Sequence, residues 1–166
     1  MLLEKVSFSG GILEPCVGQG HIAEAIKDVL ENDVDITCLD IVDRGYDNTI
    51  VGDFLSLNTE QRFDAIITNP PYSLAKEFAE KGLSLLKKGG KMALFLKLQF
   101  LEGSKRKEFF EKYPPKYIYV FRNRMATWKL GSPINPDTGK KWAETICFAW
   151  FIWEEGSTTE PIIRWL

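Results

Sequence analysis

A chain of 166 residues, 45% hydrophobic and 13% aromatic, with a formal net charge of −2, is long enough to bury a core and is expected to form one domain over residues 1–166. These values exclude a disordered or low-complexity chain. No run approaches roughly 18 apolar residues, as a membrane helix would, and Met1-Leu2-Leu3-Glu4-Lys5 does not read as a signal peptide, so a cytoplasmic protein with no membrane partner is expected. The three cysteines, Cys16, Cys38 and Cys147, are odd in number and lie in apolar runs, which predicts reduced core residues and no zinc site. The single histidine, His21, cannot build a metal cluster or a triad by itself. The small net charge hides an asymmetry. Residues 1–64 carry 4 Lys/Arg against 13 Asp/Glu, and residues 65–166 carry 17 against 10. An acidic half suits a cationic or hydroxyl-rich small molecule, and a basic half can face phosphates.

In chain order, Ser9-Gly10-Gly11 leads into the apolar pair Ile12-Leu13 and then Glu14-Pro15-Cys16-Val17-Gly18-Gln19-Gly20. Ile22, Ala25, Ile26, Val29 and Leu30 follow at helical spacing, so this is a strand, a glycine loop and a helix. Asp35 to Ile41 reads as a second buried strand, Thr49 to Phe54 as a shorter third, and Phe63 to Thr68 as a fourth. A helix is predicted from Ser73 to about Lys88, capped by Ser73, with Lys87 and Lys88 in its last turn and Gly89-Gly90 as its stop. Met92–Leu96 reads as a central strand, Ser104 to Lys112 as a short helix, and Tyr117 to Phe121 as a strand. A long polar segment then runs from Arg122 to Lys141, before an apolar strand from Thr145 to Trp153 and an edge piece at 161–166. Alternating strands and helices of this kind predict an α/β, three-layer Rossmann-like sandwich. Its sheet would be mostly parallel, with an antiparallel strand near the C-terminus.

The stretch on which function turns is Ile66-Ile67-Thr68-Asn69-Pro70-Pro71-Tyr72. Two consecutive prolines cannot continue a ladder, and each holds the residue before it extended. Asn69 and Pro70 should therefore stand in stiff backbone at a strand's carboxyl end, offering an amide, a carbonyl and the aromatic face of Tyr72. That set suits a planar amino group: two acceptors for its hydrogens and a ring to stack on. Gly18-x-Gly20 opens a helix after a strand, and with Ala23 it matches the dinucleotide fingerprint. Asp40 can accept from two ribose hydroxyls, and Asp53 from an adenine amino group with Phe54 beside it to stack. Glu14 favours a cationic ligand over a pyrophosphate. A plain Pro-Pro turn and solvated loop-end carboxylates are the alternatives for each of these taken alone.

Taken together, Glu14-Pro15-x-x-Gly18-x-Gly20, Asp40, Asp53-Phe54 and Asn69-Pro70-Pro71-Tyr72 resemble the ordered motifs of S-adenosylmethionine-dependent amino-methyltransferases. The tetrapeptide is similar to that of adenine-N6 and cytosine-N4 DNA methyltransferases, and to that of glutamine-N5 methyltransferases of release factors. The run from Phe100 to Tyr117 looks like small phage and prophage adenine methyltransferases. The resemblance implies S-adenosyl-L-methionine as cofactor, with Glu14 at the methionine ammonium, Gly18 and Gly20 allowing close backbone approach, Asp40 at the ribose, and Asp53 with Phe54 at the adenine. It implies that Asn69 and the Pro70 carbonyl bind the target amine, with Pro71 beside them and Tyr72 stacked on a flipped base.

A basic loop at about 122–142 carries Arg122, Arg124, Lys129, Lys140 and Lys141 with Trp128 and Trp142, a combination that can follow phosphates and stack bases. Nucleic acid, DNA first, is the expected partner; RNA or a protein glutamine is the alternative substrate. A non-catalytic module of the same fold and a nicotinamide-binding oxidoreductase are the other readings left open, as are a homo-oligomer and a specificity partner. Relative to the family, only nine residues precede the first strand, and the loop is much smaller than a target-recognition domain.

Overall fold

Short apolar runs closed by an acid, a glycine or a proline each form one strand of a single sheet. In this computed structural model, which describes residues 2–30, 34–123, 134, 139 and 146–166, the elements are β1 (Gly11–Glu14), α1 (His21–Leu30), β2 (Asp35–Asp40), β3 (Ile50–Val51), β4 (Phe63–Thr68), α2 (Ala75–Leu85), β5 (Leu86–Lys97), α3 (Lys107–Lys112), β6 (Tyr117–Val120), β7 (Phe148–Glu154) and β8 (Ile162–Trp165). The strand order is β3-β2-β1-β4-β5-β7-β6-β8. Pairing is parallel from β3 through β5. Strand β7 runs antiparallel between β5 and β6, and β8 adds parallel to β6 at the edge.

Alternation along the strands divides the core into two layers. Leu13, Ile66, Met92, Leu94, Phe151 and Trp153 face Phe78 and Ala79 of α2 and Phe109 of α3. Ile12, Ala65, Ile67, Ala93 and Ile152 face Ile26 of α1 and Leu2, Val6 and Phe8 of the N-terminal segment. The expected three-layer sandwich is present, including the antiparallel strand near the C-terminus.

The structure corrects several boundaries. Helix α2 starts at Ala75 and ends at Leu85, not at Lys88. Leu86 turns extended (φ −73°, ψ 144°) because it pairs with Phe63 of β4, and Lys87 reaches across to Asp64 at 2.7 Å. Sheet pairing thus captures residues that helical periodicity would have continued. Gly89 and Gly90, expected to stop the helix, lie instead in an irregular stretch of β5 where the register with β4 shifts. Ser73 makes no capping bond; it belongs to a 3-10 turn at Tyr72–Leu74. The third strand shrinks to Ile50–Val51, and the apolar strand expected from Thr145 begins at Phe148. All three cysteines are free, as expected, but Cys147 is exposed and Cys16 half-buried, so only Cys38 is a core residue. No described helix is long and apolar enough to cross a membrane, and no cluster of His, Cys, Asp and Glu among the described residues could hold a metal ion.

Trp153 is 1% exposed, and its indole N–H donates to the Tyr113 carbonyl at 2.9 Å. Trp153→Ala is therefore expected to lower the unfolding free energy by about 3–5 kcal/mol, as large aromatic deletions do, read from urea denaturation midpoints at unchanged slope.

Candidate active site

The chain leaves β1 for β2 and β3 on one side of it, then returns to β4 on the other. Such a reversal opens a crevice above the carboxyl ends of the strands at the switch point. Here the crevice is a cleft of about 750 Å³ lined by Gly18, Asp40, Asp53, Phe54, Asn69, Pro70, Pro71 and Tyr72, with Pro15, Cys16, Ile41, Arg44 and Phe78.

The loop after β1 is folded by its own backbone. Gly20 N–H donates to the Val17 carbonyl at 2.8 Å, and Val17 N–H donates to Leu39 of β2 at 3.0 Å. Gly18 takes positive φ (57°), and a Cβ added there would meet nothing within 4 Å. The position thus lies open to the cleft. Gly20 (φ 83°) serves a different purpose: a Cβ there would fall 2.1 Å from the ring of Tyr46, and Gly20 is not part of the lining. Tyr46, from the β2–β3 loop, donates its hydroxyl to Glu24 at 2.5 Å and accepts from the Lys27 ammonium at 2.9 Å. It pins this loop against the start of α1.

Asp40 closes the loop from the other side. It is 6% exposed, and its Oδ2 accepts from Gly18 N–H at 2.8 Å while Oδ1 accepts from Val42 N–H at 3.1 Å. The Arg44 guanidinium lies 3.7 Å from Oδ1. Each carboxylate oxygen still has acceptor capacity for a ligand hydroxyl. Asp53 caps a 3-10 turn at Phe54–Ser56. The Ser56 hydroxyl (2.7 Å) and Leu55 N–H (3.0 Å) donate to it and hold its pKa below the usual carboxylate range, Ser56 contributing most. Phe54 is 2% exposed and packs on Phe78 at 5.0 Å between centroids. The exposed edge of the cleft beside Asp40 is instead Ile41, 66% exposed, an apolar flank for a planar ring that sequence reasoning passed over.

Glu14 is set back from the lining, 1% exposed, with Oε2 buried and without a hydrogen-bond partner. Burial pushes its carboxyl up to about 8; the backbone N–H of Ala23 works against this, and the charge of Asp40 adds to it. Burial likewise pushes the Cys16 thiol up to about 12, so it stays protonated beside the cleft. Across the cleft, β4 delivers Thr68, fully buried with an unpartnered hydroxyl, and then Asn69. Burial raises the Tyr72 phenol to about 12, and the Asn69 side chain works the other way. The Tyr72 ring contacts Phe148 at 5.9 Å, and the Lys97 ammonium lies over it at 5.0 Å.

The site residues expected from sequence therefore divide into three groups. Gly18, Asp40, Asp53, Phe54 and Asn69–Tyr72 share one cleft. Glu14 and Gly20 stand behind it, and Arg122 lies in a different groove. Arg124, Trp128 and Lys129, with Lys140, Lys141 and Trp142, fall outside the described residues. Arg44, Tyr46 and Lys97 were not anticipated. Only their contacts with Asp40, α1 and Tyr72 identify them, although Tyr46 and Arg44 sit within six residues of Asp40.

No protein-family profile matches the sequence, and no curated protein matches it significantly. Solved structures do. A candidate class I S-adenosylmethionine-dependent methyltransferase from Listeria monocytogenes superposes with a TM-score of 0.65 at 18% identity, over 99% of this chain and 61% of that one. The methyltransferase subunit of a type I restriction-modification system from Streptococcus thermophilus gives 0.65 at 16% identity, over 95% and 42%. TrmN from Thermus thermophilus gives 0.61 at 17%, over 93% and 47%. The chain thus spans less than two thirds of the length of each of these three proteins. At such identities the likeness is one of fold: this chain has the Rossmann-like fold of these methyltransferases.

Two outcomes follow from the geometry. Gly20→Ala should destabilise more than Gly18→Ala, and a Tyr46→Ala background should reduce its loss to the roughly 1–2 kcal/mol of left-handed backbone alone, measured by thermal unfolding. The second concerns pH. The folded-state pKa of Glu14, about 8, lies above its ordinary value of 4.5, so between these values the folded chain binds more protons than the unfolded one. Unfolding free energy from this group must then fall as pH rises from about 5 to 8. Glu14→Gln should flatten that fall in denaturation curves taken across the window.

Proposed function

We propose that this chain is an S-adenosylmethionine-dependent methyltransferase acting on an exocyclic amino group, the N6 of adenine in DNA. The observation that carries the reading is the meeting of Asn69–Pro70, from the end of β4, with Gly18 and Asp40, from the ends of β1 and β2, in one cleft. The fit to the cofactor rests on three features. The buried, unpartnered Glu14 Oε2 suits an ammonium group, the open space above Gly18 suits close approach, and Asp40 retains acceptor capacity for hydroxyls. Ile41 and Asp53 would flank and recognise the purine.

When bound, S-adenosylmethionine supplies an electrophilic methyl group. An aromatic amine is a poor nucleophile because its lone pair is delocalised into the ring. The Asn69 amide oxygen and the Pro70 carbonyl, drawing on its two hydrogens, would favour a pyramidal nitrogen whose lone pair is free to react. Two prolines keep both acceptors from moving during the step, so positioning supplies much of the rate and the oriented dipoles stabilise the developing positive charge. Tyr72, holding its proton at neutral pH, offers a face for the base. The proton lost from the methylated nitrogen passes to solvent, and no cleft residue needs to act as a base beforehand.

DNA as the polymer is supported by the tetrapeptide and by the basic, tryptophan-bearing sequence at 122–142, and the restriction-modification subunit of the same fold is compatible with it. The domain is read as extending over residues 1–166, in the cytoplasm. Mass analysis of oligonucleotides incubated with protein and cofactor should find N6-methyladenine, and Asn69→Ala should reduce its formation about a hundredfold, roughly 3 kcal/mol, as loss of one preorganised polar contact does. Methyl label confined to protein, or to cytosine, would remove the adenine assignment. Separately, Glu14 must ionise to hold an ammonium. Calorimetry near pH 7 in buffers of differing ionisation enthalpy should therefore show proton release on cofactor binding, with apparent affinity rising from pH 6 to 8; Glu14→Gln should release none.

A further inference from the structure

A second groove, of about 700 Å³, lies on the face of β5, β7, β6 and β8 that carries Tyr117, Tyr119 and Ile152, and no α-helix of the described residues lines it. Its charge is one-sided: Lys5, Lys91, Lys116, Arg122 and Arg164 against the single carboxylate of Glu154. Glu154 is already engaged by Lys116 at 2.8 Å, and among the described residues Arg122 and Arg164 have no ion-pair partner. Trp165 is 59% exposed at the outer edge, and the Arg164 guanidinium lies over the Tyr117 ring at 5.3 Å.

Rings beneath the surface link the groove to the cleft: from Tyr72, contacts run to the buried Phe148 at 5.9 Å, to the buried Phe95 at 5.0 Å, and on to Trp150 and Phe121 at 5.3 and 5.8 Å. Arg122 stands just beyond the carboxyl end of β6, at the cleft's end of the sheet, while Lys91 and Lys116 mark the opposite end. Along β5, Lys91 to Lys97 extends roughly 20 Å at about 3.3 Å per residue, enough for several nucleotides.

We propose that this groove, between the sheet and the N-terminal segment, is a docking platform for a single strand of nucleic acid, which leaves the catalytic cleft past Tyr72 and runs down the strands. Phosphates would meet Arg122, Arg164, Lys5 and Lys91, and a base would stack on the Tyr117–Arg164 pair, the combination of cationic groove and aromatic ring that binds single strands without sequence preference. The choice of nucleic acid as occupant rests on the substrate reading above; the charge and aromatic content of the face do not.

The test uses a fluorescent oligothymidylate of about 20 nucleotides, longer than one such platform. Thymine has no exocyclic amine, so the probe reports the face without the amine site. Arg164→Glu should weaken its binding about tenfold or more and reduce the slope of log K against log salt by about 0.7, the share of one phosphate contact. Tyr117→Ala should weaken it about tenfold at unchanged slope, and Arg164→Lys should bind like the parent. Calorimetric binding of S-adenosylmethionine should be the same in all variants. No binding by the parent, or equal binding by parent and variants, overturns the proposal. So does a parent dimer in sedimentation that Arg164→Glu dissociates, because a second copy would then cover the groove. If cofactor fails to bind while oligothymidylate binding follows the variants as described, the methyltransferase reading falls and the platform stands.

Discussion

Parallel pairing of β1 along both its edges is the constraint on which the rest of the molecule depends. Four residues, Gly11 to Glu14, are in register with Asp35 to Cys38 of β2, and Ile12 and Leu13 with Ala65 and Ile66 of β4. Because all three strands point the same way, their carboxyl ends emerge side by side, and residues 22 and 51 positions beyond Gly18 arrive at one crevice. A single hydrogen bond, from Gly18 N–H to Asp40, then fixes the glycine loop to the neighbouring strand. A shift of one residue in either pairing would turn Asp40 or Asn69 to the opposite face of the sheet.

The crevice is held in a state that folding alone would not favour. Glu14 and Thr68, at the ends of adjacent strands, bury polar atoms without partners, a situation that ordinarily destabilises by a few kcal/mol. The carboxyl answers by keeping its proton to about pH 8. An arrangement of that kind lowers the stability of the free protein, and on the proposed reading a cationic ligand relieves it.

Much of the fold could be read before any coordinates, because its information is local. Short apolar runs located β1, β2, β4, the middle of β5, β6 and β7, and the 3.6-residue spacing located α1. The failures share one cause. Leu86–Lys88 has a helical pattern, yet Phe63 and Asp64, more than 20 residues earlier in the chain, claim Leu86 and Lys87 for the sheet. Phe54 was expected to stack on a ligand, but contact with Phe78 leaves it almost wholly in the core. Gly20 was expected to let backbone approach the cofactor, whereas the space a Cβ would occupy there is filled by Tyr46.

The order of residue types along the chain was sufficient, by itself, to specify a doubly wound sheet, a rigid Asn-Pro-Pro-Tyr turn at a strand's end and a set of acids at the ends of its neighbours. Backbone chemistry and side-chain alternation act over a few residues, so such features need no tertiary context. Only the tertiary structure decided that Arg44, Tyr46 and Lys97 belong to the site's surroundings and that Glu14 stands behind the cleft as a protonated acid. It also decided that Lys5, Lys91, Lys116, Arg122 and Arg164 line one groove. Those outcomes depend on burial and on contacts between distant strands, quantities that exist only once the chain has closed on itself.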